Sequence, residues 1–281
     1  MISIIICSRN KDILQNLKDN IAHSIGVEYE QVVIDNSENT YSIFSAYNEG
    51  VKRAKFPYLC FMHEDILYHT QDWGQTIVKH LEDNTIGLIG MAGTHFLPKV
   101  PTYWSSSPFI SEHNLTNDNG KLIESYALEL FRGKDIIDVV ACDGFCMFIK
   151  KKLFNMISFD ENAYTGFHYY DMDICMQVLA NKYRVCICQD VLIEHSWSDN
   201  YSKAGSNSFY VNQQIFFDKW KDHFPINRGI DEIPGYVLDR LNNLYGVAND
   251  AKMARNSKAY KIGKFILLPY KFLSTIRNWV K

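Results

Sequence analysis

An apolar run that ends abruptly in charged residues lies in the first quarter of the chain. Tyr58–Met62 reads Tyr-Leu-Cys-Phe-Met, and His63, Glu64 and Asp65 follow directly before apolar Ile66. Two carboxylates are costly to bury at a strand end without a partner. Open α/β sheets bind ligands at the carboxyl ends of their strands, so the pattern predicts a divalent cation and the polar end of a ligand here.

Further acidic residues follow other predicted strands or open a helix. Asp35 and Asp143 belong to the first group, and Asp171 and Asp173 to the second. Carboxylates at several strand ends of one sheet converge on one rim. Asp35 can hydrogen-bond a base or a ribose hydroxyl there, and Asp-Asn-Ser fits an Asx-turn equally well.

Aromatic residues surround the acids of the predicted helix, in Phe167-His-Tyr-Tyr-Asp-Met-Asp173. A carboxylate beside aromatic rings loses hydration, which raises its proton affinity and suits a general base acting on a sugar hydroxyl. The same acids could simply cap the helix. His195 follows another apolar run; a lone histidine is more often structural, but with Asp65 it would make a mixed site that favours Mn²⁺ over Ca²⁺.

The elements that must position these residues alternate between strand and helix. Strands are predicted at Ile2–Cys7, Glu30–Ile34, Tyr58–Met62, Ile86–Met91, Asp138–Lys150, Arg184–Ile187 and Val191–Ile193, and helices at Lys11–Ser24, Ser42–Ala54, Trp73–Glu82, Tyr170–Asn181 and Asn212–His223. This order predicts right-handed crossovers and a parallel sheet. Gly93–Arg132, rich in Pro, Ser and aromatics, is predicted to be a long excursion with a hairpin at Asn119-Gly120.

Composition narrows the class of protein. The chain has 281 residues, 47% of them hydrophobic, and no visible N-terminal signal peptide or apolar run long enough to span a membrane. Its seven cysteines lie mostly in apolar stretches, which favours buried thiols in a reducing cytoplasm. Cys186 and Cys188 share one strand face, but no further Cys/His pair with zinc-site spacing lies nearby in sequence.

The charge is unevenly distributed. The net charge is −3, of which +8 comes from Ala251–Lys281, leaving −11 for residues 1–250. This balance argues against a general nucleic-acid binder. The basic end interleaves Lys and Arg with aromatic and aliphatic residues, which is typical of a segment on an anionic membrane surface. A packed helix or an oligomer contact is the alternative interpretation.

The motifs, taken in order, resemble family 2 glycosyltransferases of the GT-A fold. They are Ile-Ile-Ile-Cys-Ser-Arg-Asn at residues 4–10, Val-Val-Ile-Asp-Asn-Ser at 32–37, Ala-Tyr-Asn-Glu-Gly at 46–50, Phe-Met-His-Glu-Asp at 61–65, Asp-Gly-Phe at 143–145 and Tyr-Asp-Met-Asp-Ile-Cys at 170–175. The chain is most similar to a bacterial subgroup that reads Phe-His-x-Tyr-Asp-x-Asp at the last site. The resemblance covers about residues 1–220.

This resemblance implies a Rossmann-like, mostly parallel central sheet flanked by helices over 1–225, and a helical, basic extension over 226–281. It implies inverting transfer of a hexosyl or N-acetylhexosaminyl group from a nucleotide-sugar, most often a UDP-sugar, to a glycan or lipid-linked glycan in bacterial surface polysaccharide biosynthesis. The location would be cytoplasmic, with possible attachment to the inner membrane face. The implied roles are nucleoside or donor binding by Ser8, Arg9, Asp35, Glu64 and Asp143, Mn²⁺ or Mg²⁺ binding by Asp65 and His195, and base catalysis by Asp171.

Two departures from the family pattern leave alternatives open. His63 stands where the first Asp of the DXD motif is usual, which weakens the metal prediction, and Tyr170 stands where Glu precedes the base, so Asp173 remains a second candidate base. A nucleotidyltransferase would use a similar sheet, but Ser8-Arg9-Asn10 lacks the expected glycine-rich phosphate loop. A non-catalytic sugar-nucleotide-binding module is the third interpretation.

Overall fold

A computed structural model describes residues 1–118, 121–126, 133–195, 207–231 and 233–256. The chain divides into two compact units, one of residues 1–97 and 101–232, the other of residues 98–100 and 233–281. The first unit contains the sheets. The second contains a long helix, and its residues 257–281, which include most of the predicted basic tail, lie outside the described part.

The described strands and helices follow one another as listed here in chain order. The strands are β1 (Ile2–Ser8), β2 (Tyr29–Asp35), β3 (Tyr58–Met62), β4 (Ile66–Tyr68), β5 (Ile86–Gly90), β6 (Ala92–Thr94), β7 (Phe96–Leu97), β8 (Ile110–Asp118), β9 (Lys121–Tyr126), β10 (Ile136–Val139), β11 (Ala141–Cys142), β12 (Cys146–Lys150), β13 (Arg184–Cys188), β14 (Ile193–His195) and β15 (Ile226–Asn227). The helices are α1 (Lys11–Ser24), α2 (Ile43–Arg53), α3 (Trp73–Leu81), α4 (Tyr170–Ala180), α5 (Asn207–Trp220) and α6 (Gly235–Asn256).

The central sheet has seven strands in the order β10-β13-β5-β12-β3-β1-β2. The predicted parallel pairing of β1 with β2 and β3 is confirmed. The strand β12 runs antiparallel between β3 and β5, and β13 runs parallel to β5. The carboxyl ends of β1, β2, β3, β5 and β13 therefore lie along one edge.

The apolar run of β1 explains its central position. Ile2, Ile4, Ile5 and Ile6 are all fully buried, so both faces of the strand are covered. Strands that are buried on both faces read as continuous apolar runs because helices pack on each side of the sheet. Helix α1 presents Leu14, Leu17 and Ile21 to this core, as its spacing predicts.

A second sheet, in the order β11-β6-β8-β14-β4, is built largely from the predicted excursion. β8 and β9 pair as an antiparallel hairpin, which confirms the predicted hairpin, although residues 119 and 120 at its turn lie outside the described residues. β14 lies between β8 and β4. The excursion is thus a structured layer beside the central sheet.

The strand predicted continuously over Asp138–Lys150 is wrong at its centre. Asp143, Gly144 and Phe145 form a turn between β11 and β12. The Asp143 carboxylate accepts a hydrogen bond from the Phe145 backbone N–H at 3.1 Å, which favours a turn. A Cβ at Gly144 would lie 2.2 Å from the Tyr170 hydroxyl, so only glycine fits there. None of the helices described is both long and apolar enough to cross a bilayer.

Candidate active site at the carboxyl edge of the central sheet

Glu64 organises the turn that follows β1. Its carboxylate accepts a hydrogen bond from the Ser8 hydroxyl at 2.6 Å and others from the backbone N–H groups of Arg9 and Asn10 at 3.1–3.2 Å. Asn10 in turn caps α1 by accepting from the N–H groups of Asp12 and Ile13. Both carboxylate oxygens of the buried Glu64 thus accept hydrogen bonds from the turn after β1. The predicted role of Glu64 in nucleoside or donor binding stays a prediction.

Asp35 lies beside this turn, paired in register with Ser8. Its Oδ1 accepts hydrogen bonds from the N–H and the hydroxyl of Ser37, and these bonds hold the pKa of Asp35 below its usual range. The Asx-turn interpretation is therefore confirmed. Asp35 is also exposed, so its nucleoside-binding role remains compatible with the fold and untested.

A cleft opens between the end of β1, the residues after β2 and the residues after β3. Its cavity volume is about 200 Å³, and it is open to solvent. The polar side chains along it include Arg9, Asn36, Asn39, Tyr41, Ser42, His63 and Asp65.

Three side chains that could hold a metal ion lie close together beside the cleft. The ligand atoms of His63, Asp65 and His195 are within 4.8 Å of one another, and all three side chains are partly buried. Asp65 Oδ1 lies 3.6 Å from His195 Nε2 and 4.0 Å from His63 Nδ1. Two imidazoles and one carboxylate are borderline donors that suit Mn²⁺. The donor set therefore fits the divalent cation that the sequence predicts.

Strand pairing brings these residues together across 130 positions of sequence. β4 begins directly after Asp65, and its antiparallel register with β14 places His195 opposite Ile66. Phe145 stacks on the His195 ring, with ring centroids 4.7 Å apart. The Phe145 carbonyl also accepts a hydrogen bond from the His63 backbone N–H. The turn before β12 thus supports both histidines.

The electrostatics of the trio follow from burial and mutual contact. Burial lowers the pKa of His63 to about 4, and the neighbouring His195 acts in the same direction. Burial alone would raise the pKa of Asp65, but the neighbouring imidazoles of His195 and His63 and a backbone hydrogen bond together outweigh it and lower that pKa. The second ring nitrogen of His63 lies 2.8 Å from the Tyr170 hydroxyl, a contact that fixes the orientation of the ring.

Asp171 lies one residue beyond Tyr170, in the first turn of α4, and is 2% exposed. Its Oδ2 accepts a hydrogen bond from the Tyr103 hydroxyl at 3.1 Å, and its Oδ1 one from the Met172 N–H at 2.8 Å. Burial, reinforced by the charge of Asp143, raises the pKa of Asp171 to about 7. A carboxylate with this pKa can take up a proton near neutral pH.

Asp143 interacts electrostatically with His195 and Asp65 of the metal trio and with Asp171. Burial raises its pKa, and the charge of His195 opposes that rise. The charge of Asp143 is the second cause of the raised pKa of Asp171. Asp143 thus couples the two parts of the site electrostatically, whereas its predicted contact with a donor is untested.

Asp173, the alternative base, is occupied by other partners. It accepts hydrogen bonds from Tyr164, Trp220 and Gln177, and Lys219 forms an ion pair with it at 3.0 Å. These contacts anchor α5 against α4. The arrangement favours Asp171 over Asp173 as the candidate base.

Sequence reasoning missed several contributors. His63 was predicted to be a departure from the metal motif, yet it supplies a third donor, while Tyr170 and Tyr103 contact His63 and Asp171. Burial raises the pKa of Glu112 on β8, and the charge of Asp143 acts in the same direction. The only local signal for Tyr103 was its place among the aromatics of the excursion.

The family comparison agrees with this arrangement. The model of the glycosyltransferase-like family matches residues 3–220, which include every candidate site residue named above. The chain belongs to this family. No curated protein matches the chain significantly in sequence.

Similarity to a solved glycosyltransferase structure places this chain in the GT-A fold. GalNAc-T7, crystallised with UDP, GalNAc and Mn²⁺, is similar with a TM-score of 0.51 and 10% identity, over 70% of this chain and 44% of that one. The chain thus spans less than half the length of that protein, and at this identity the likeness shows the fold alone. A197 from STIV matches with a TM-score of 0.41 and 13% identity, over 70% of this chain and 86% of that one.

Proposed function

We propose that this chain is an inverting glycosyltransferase that moves a sugar from a UDP-sugar to a hydroxyl of a glycan or lipid-linked glycan. One observation carries the proposal: a donor set for a divalent cation contacts, through His63 and Tyr170, the helix turn that carries a buried carboxyl with a pKa of about 7. Sugar transfer from a nucleotide needs both, because the diphosphate leaves with negative charge and the acceptor hydroxyl loses a proton.

Asp171 acts as the base in this proposal. Its carboxylate takes the proton of the acceptor hydroxyl while that oxygen attacks the anomeric carbon and the diphosphate leaves from the opposite side. Tyr103 and the Met172 N–H hold one carboxylate oxygen each, so the group is oriented before the acceptor arrives. One direct displacement inverts the anomeric configuration and requires a single base.

The donor lies along the cleft in the same proposal. His63, Asp65 and His195 would hold Mn²⁺ or Mg²⁺, which when bound neutralises charge on the leaving diphosphate. Exposed Arg9 at the cleft wall suits a phosphate oxygen or a base. Ser8 and Glu64 support this wall from behind, because their mutual hydrogen bond fixes the turn that carries Arg9.

Release of the nucleoside diphosphate from a panel of UDP-, GDP- and dTDP-sugars, with Mn²⁺, Mg²⁺ or a chelator, tests the proposal. We expect release from a UDP-sugar with Mn²⁺, loss of release with the chelator, and a large loss in Asp65→Asn. Asp19→Asn, which changes an exposed acid on α1, is the matched control and should keep full activity. Saturable donor binding without release or transfer from any donor would instead support the binding-module alternative.

The resemblance to a bacterial subgroup supports a role in surface polysaccharide synthesis, where a lipid-linked acceptor would favour membrane contact. We propose that the basic segment 251–281 provides it, since residues 257–281 alone carry six Lys or Arg and no acid. Flotation of the full chain with phosphatidylglycerol vesicles should exceed that with phosphatidylcholine vesicles. Replacing Lys258, Lys261, Lys264 and Lys271 with Gln should abolish the difference; equal flotation of both proteins would reject membrane docking through these charges.

A further inference from the structure

A second cluster of metal-binding side chains lies apart from the cleft. It consists of His80 near the end of α3, Cys188 at the end of β13 and Asp190 two residues later, and their ligand atoms are within 4.8 Å of one another. His80 Nε2 is 3.0 Å from Asp190 Oδ2, and Cys188 Sγ is 4.0 Å from Asp190 Oδ1. None of these residues takes part in the chemistry proposed above.

Two backbone donors and two acidic side chains surround the buried sulfur of Cys188. Burial raises the pKa of the Cys188 thiol, and hydrogen bonds from the backbone N–H groups of Asp190 and Val191 offset part of that rise. Donors two and three residues after a cysteine stabilise negative charge on the sulfur, because each places a partial positive charge against it. The charges that act on Cys188 from its neighbours, Asp190 and Asp135, are both negative, so the position attracts a cation.

We infer that His80, Cys188 and Asp190 form a binding site for Zn²⁺. Thiolate, imidazole and carboxylate are the ligands zinc takes in proteins, and its bond lengths place tetrahedral donors about 3.3–3.6 Å apart. The separation of 3.0 Å between His80 Nε2 and Asp190 Oδ2 is slightly below that range, and one ligand atom of each residue lies within 4.8 Å of the other two, so binding needs side-chain adjustment at the sulfur. One thiolate and one carboxylate balance the charge of the ion, and the thiol proton passes to solvent.

The remaining coordination position faces outward. The side chains of His80 and Asp190 are 15% and 29% exposed, so a water molecule can complete four ligands. The ion would join α3 to the end of β13. Since Asp190 lies five residues before His195, the same link would steady the segment that leads into β14.

The sulfur distinguishes this site from the cleft trio. His63, Asp65 and His195 include no thiolate, so they suit Mn²⁺, whereas a cysteine ligand selects thiophilic Zn²⁺ and Co²⁺. A simple ion pair between His80 and Asp190 is the alternative, and it involves no bond to sulfur. A measurement that reports metal–sulfur bonding therefore separates the two.

The experiment is a titration of the full, chelator-treated chain with Co²⁺, followed by displacement with Zn²⁺ or Mn²⁺. We expect a near-ultraviolet thiolate-to-cobalt band that one equivalent of Zn²⁺ removes and that Mn²⁺ does not. The band should be absent in Cys188→Ala, which keeps the buried position apolar, and weaker in His80→Gln, which changes a partly exposed residue. Cys7→Ser, which alters the half-buried cysteine of the cleft, and Asp65→Asn are the controls and should keep it.

Thermal unfolding provides a second readout. Zn²⁺ should raise the Tm of the unsubstituted chain and of Asp65→Asn, since a ligand that binds only the folded state stabilises it. It should not raise the Tm of the double variant Asp65→Asn/His80→Gln, which lacks a ligand of each proposed site. A chain without the cobalt–sulfur band, or a band that persists in Cys188→Ala, would overturn the inference.

Discussion

The two acids in the first turn of α4 are two residues apart and equally buried, yet their surroundings differ. Asp171 is 2% exposed and faces Asp143 and Tyr103. Asp173 is 1% exposed and faces α5. Positions two apart on a helix point to nearly opposite sides, so α4 carries one carboxylate into the site and the other into the packing behind it.

The two acids differ in the number and charge of the groups that contact their carboxylates. Asp173 is met by three hydrogen-bond donors and the ammonium group of Lys219, whereas Asp171 has two donors and a nearby negative charge. Burial alone therefore does not identify a base. A buried acid that lacks a cationic partner is the one suited to exchange protons.

The largest expected effect comes from Asp171→Asn. Removing a general base lowers kcat by about 10²–10⁴-fold, while donor binding should survive because the substitution leaves the cleft wall unchanged. Single-turnover transfer and donor titration measure the two quantities. Near-normal transfer in this variant would show that Asp171 is not the base.

Asp173→Asn should instead lower the free energy of unfolding and spare the catalytic base. Breaking a buried ion pair usually costs about 3–5 kcal/mol of the free energy of unfolding, and we expect about 3, because Lys219 is partly exposed and keeps its pair with Asp160. Urea unfolding measures the change. If Asp173→Asn is as stable as the unsubstituted chain but inactive, the roles of the two acids are exchanged.

The pH dependence sharpens the comparison. With the pKa of Asp171 raised to about 7, kcat/KM should rise about tenfold per pH unit up to that value and then level off. Between its ordinary pKa near 3.8 and about 7, this acid keeps its proton in the folded state and loses it in the unfolded state, so stability should fall as the pH rises through that range. This part of the stability profile should be absent in Asp171→Asn; its persistence there would assign the titration to another group.

Tyr170→Phe tests the link between the base and the metal trio. Loss of the hydroxyl that orients His63 should lower the affinity for Mn²⁺ by about 10–100-fold, the usual effect of removing a partner of a metal ligand. Titration followed by electron paramagnetic resonance measures this affinity. Tyr164→Phe removes a matched hydroxyl on the Asp173 side, so it should leave Mn²⁺ binding unchanged.

The smallest expected effect is that of Tyr103→Phe. The Tyr103 hydroxyl stabilises ionised Asp171 and so lowers its pKa. Removal of the hydroxyl should shift the acidic limb of the kcat/KM profile to higher pH by less than about one pH unit. The value of kcat/KM on the plateau above this limb should fall by less than about tenfold. A purely structural Tyr103 would change stability and leave the limb in place.

The order of the strands and helices and the sheet edge that carries the site can be predicted from local sequence patterns. The apolar run of β1, the helical spacing of α1 and α2 and the acids after β2 and β3 predicted the strand–helix order and the edge that carries the site. Such features follow from side-chain periodicity over a few residues. The alternatives for Asp35, and the choice between Asp171 and Asp173, could not be decided that way, because both depend on distant partners.

Long-range strand pairing decided the rest. The insertion of β12 between β3 and β5 brings Asp143 beside the site, and the register of β14 against β4 carries His195 to Asp65. Tyr103, in the excursion, contacts Asp171, and His80 lies beside Cys188, 108 residues further along the chain. The spacing of these residues in the sequence predicts neither contact. The amino-acid sequence by itself determined which groups are available for chemistry, whereas the tertiary structure determined which of them meet, because pairing between remote strands leaves no periodic signal in the chain.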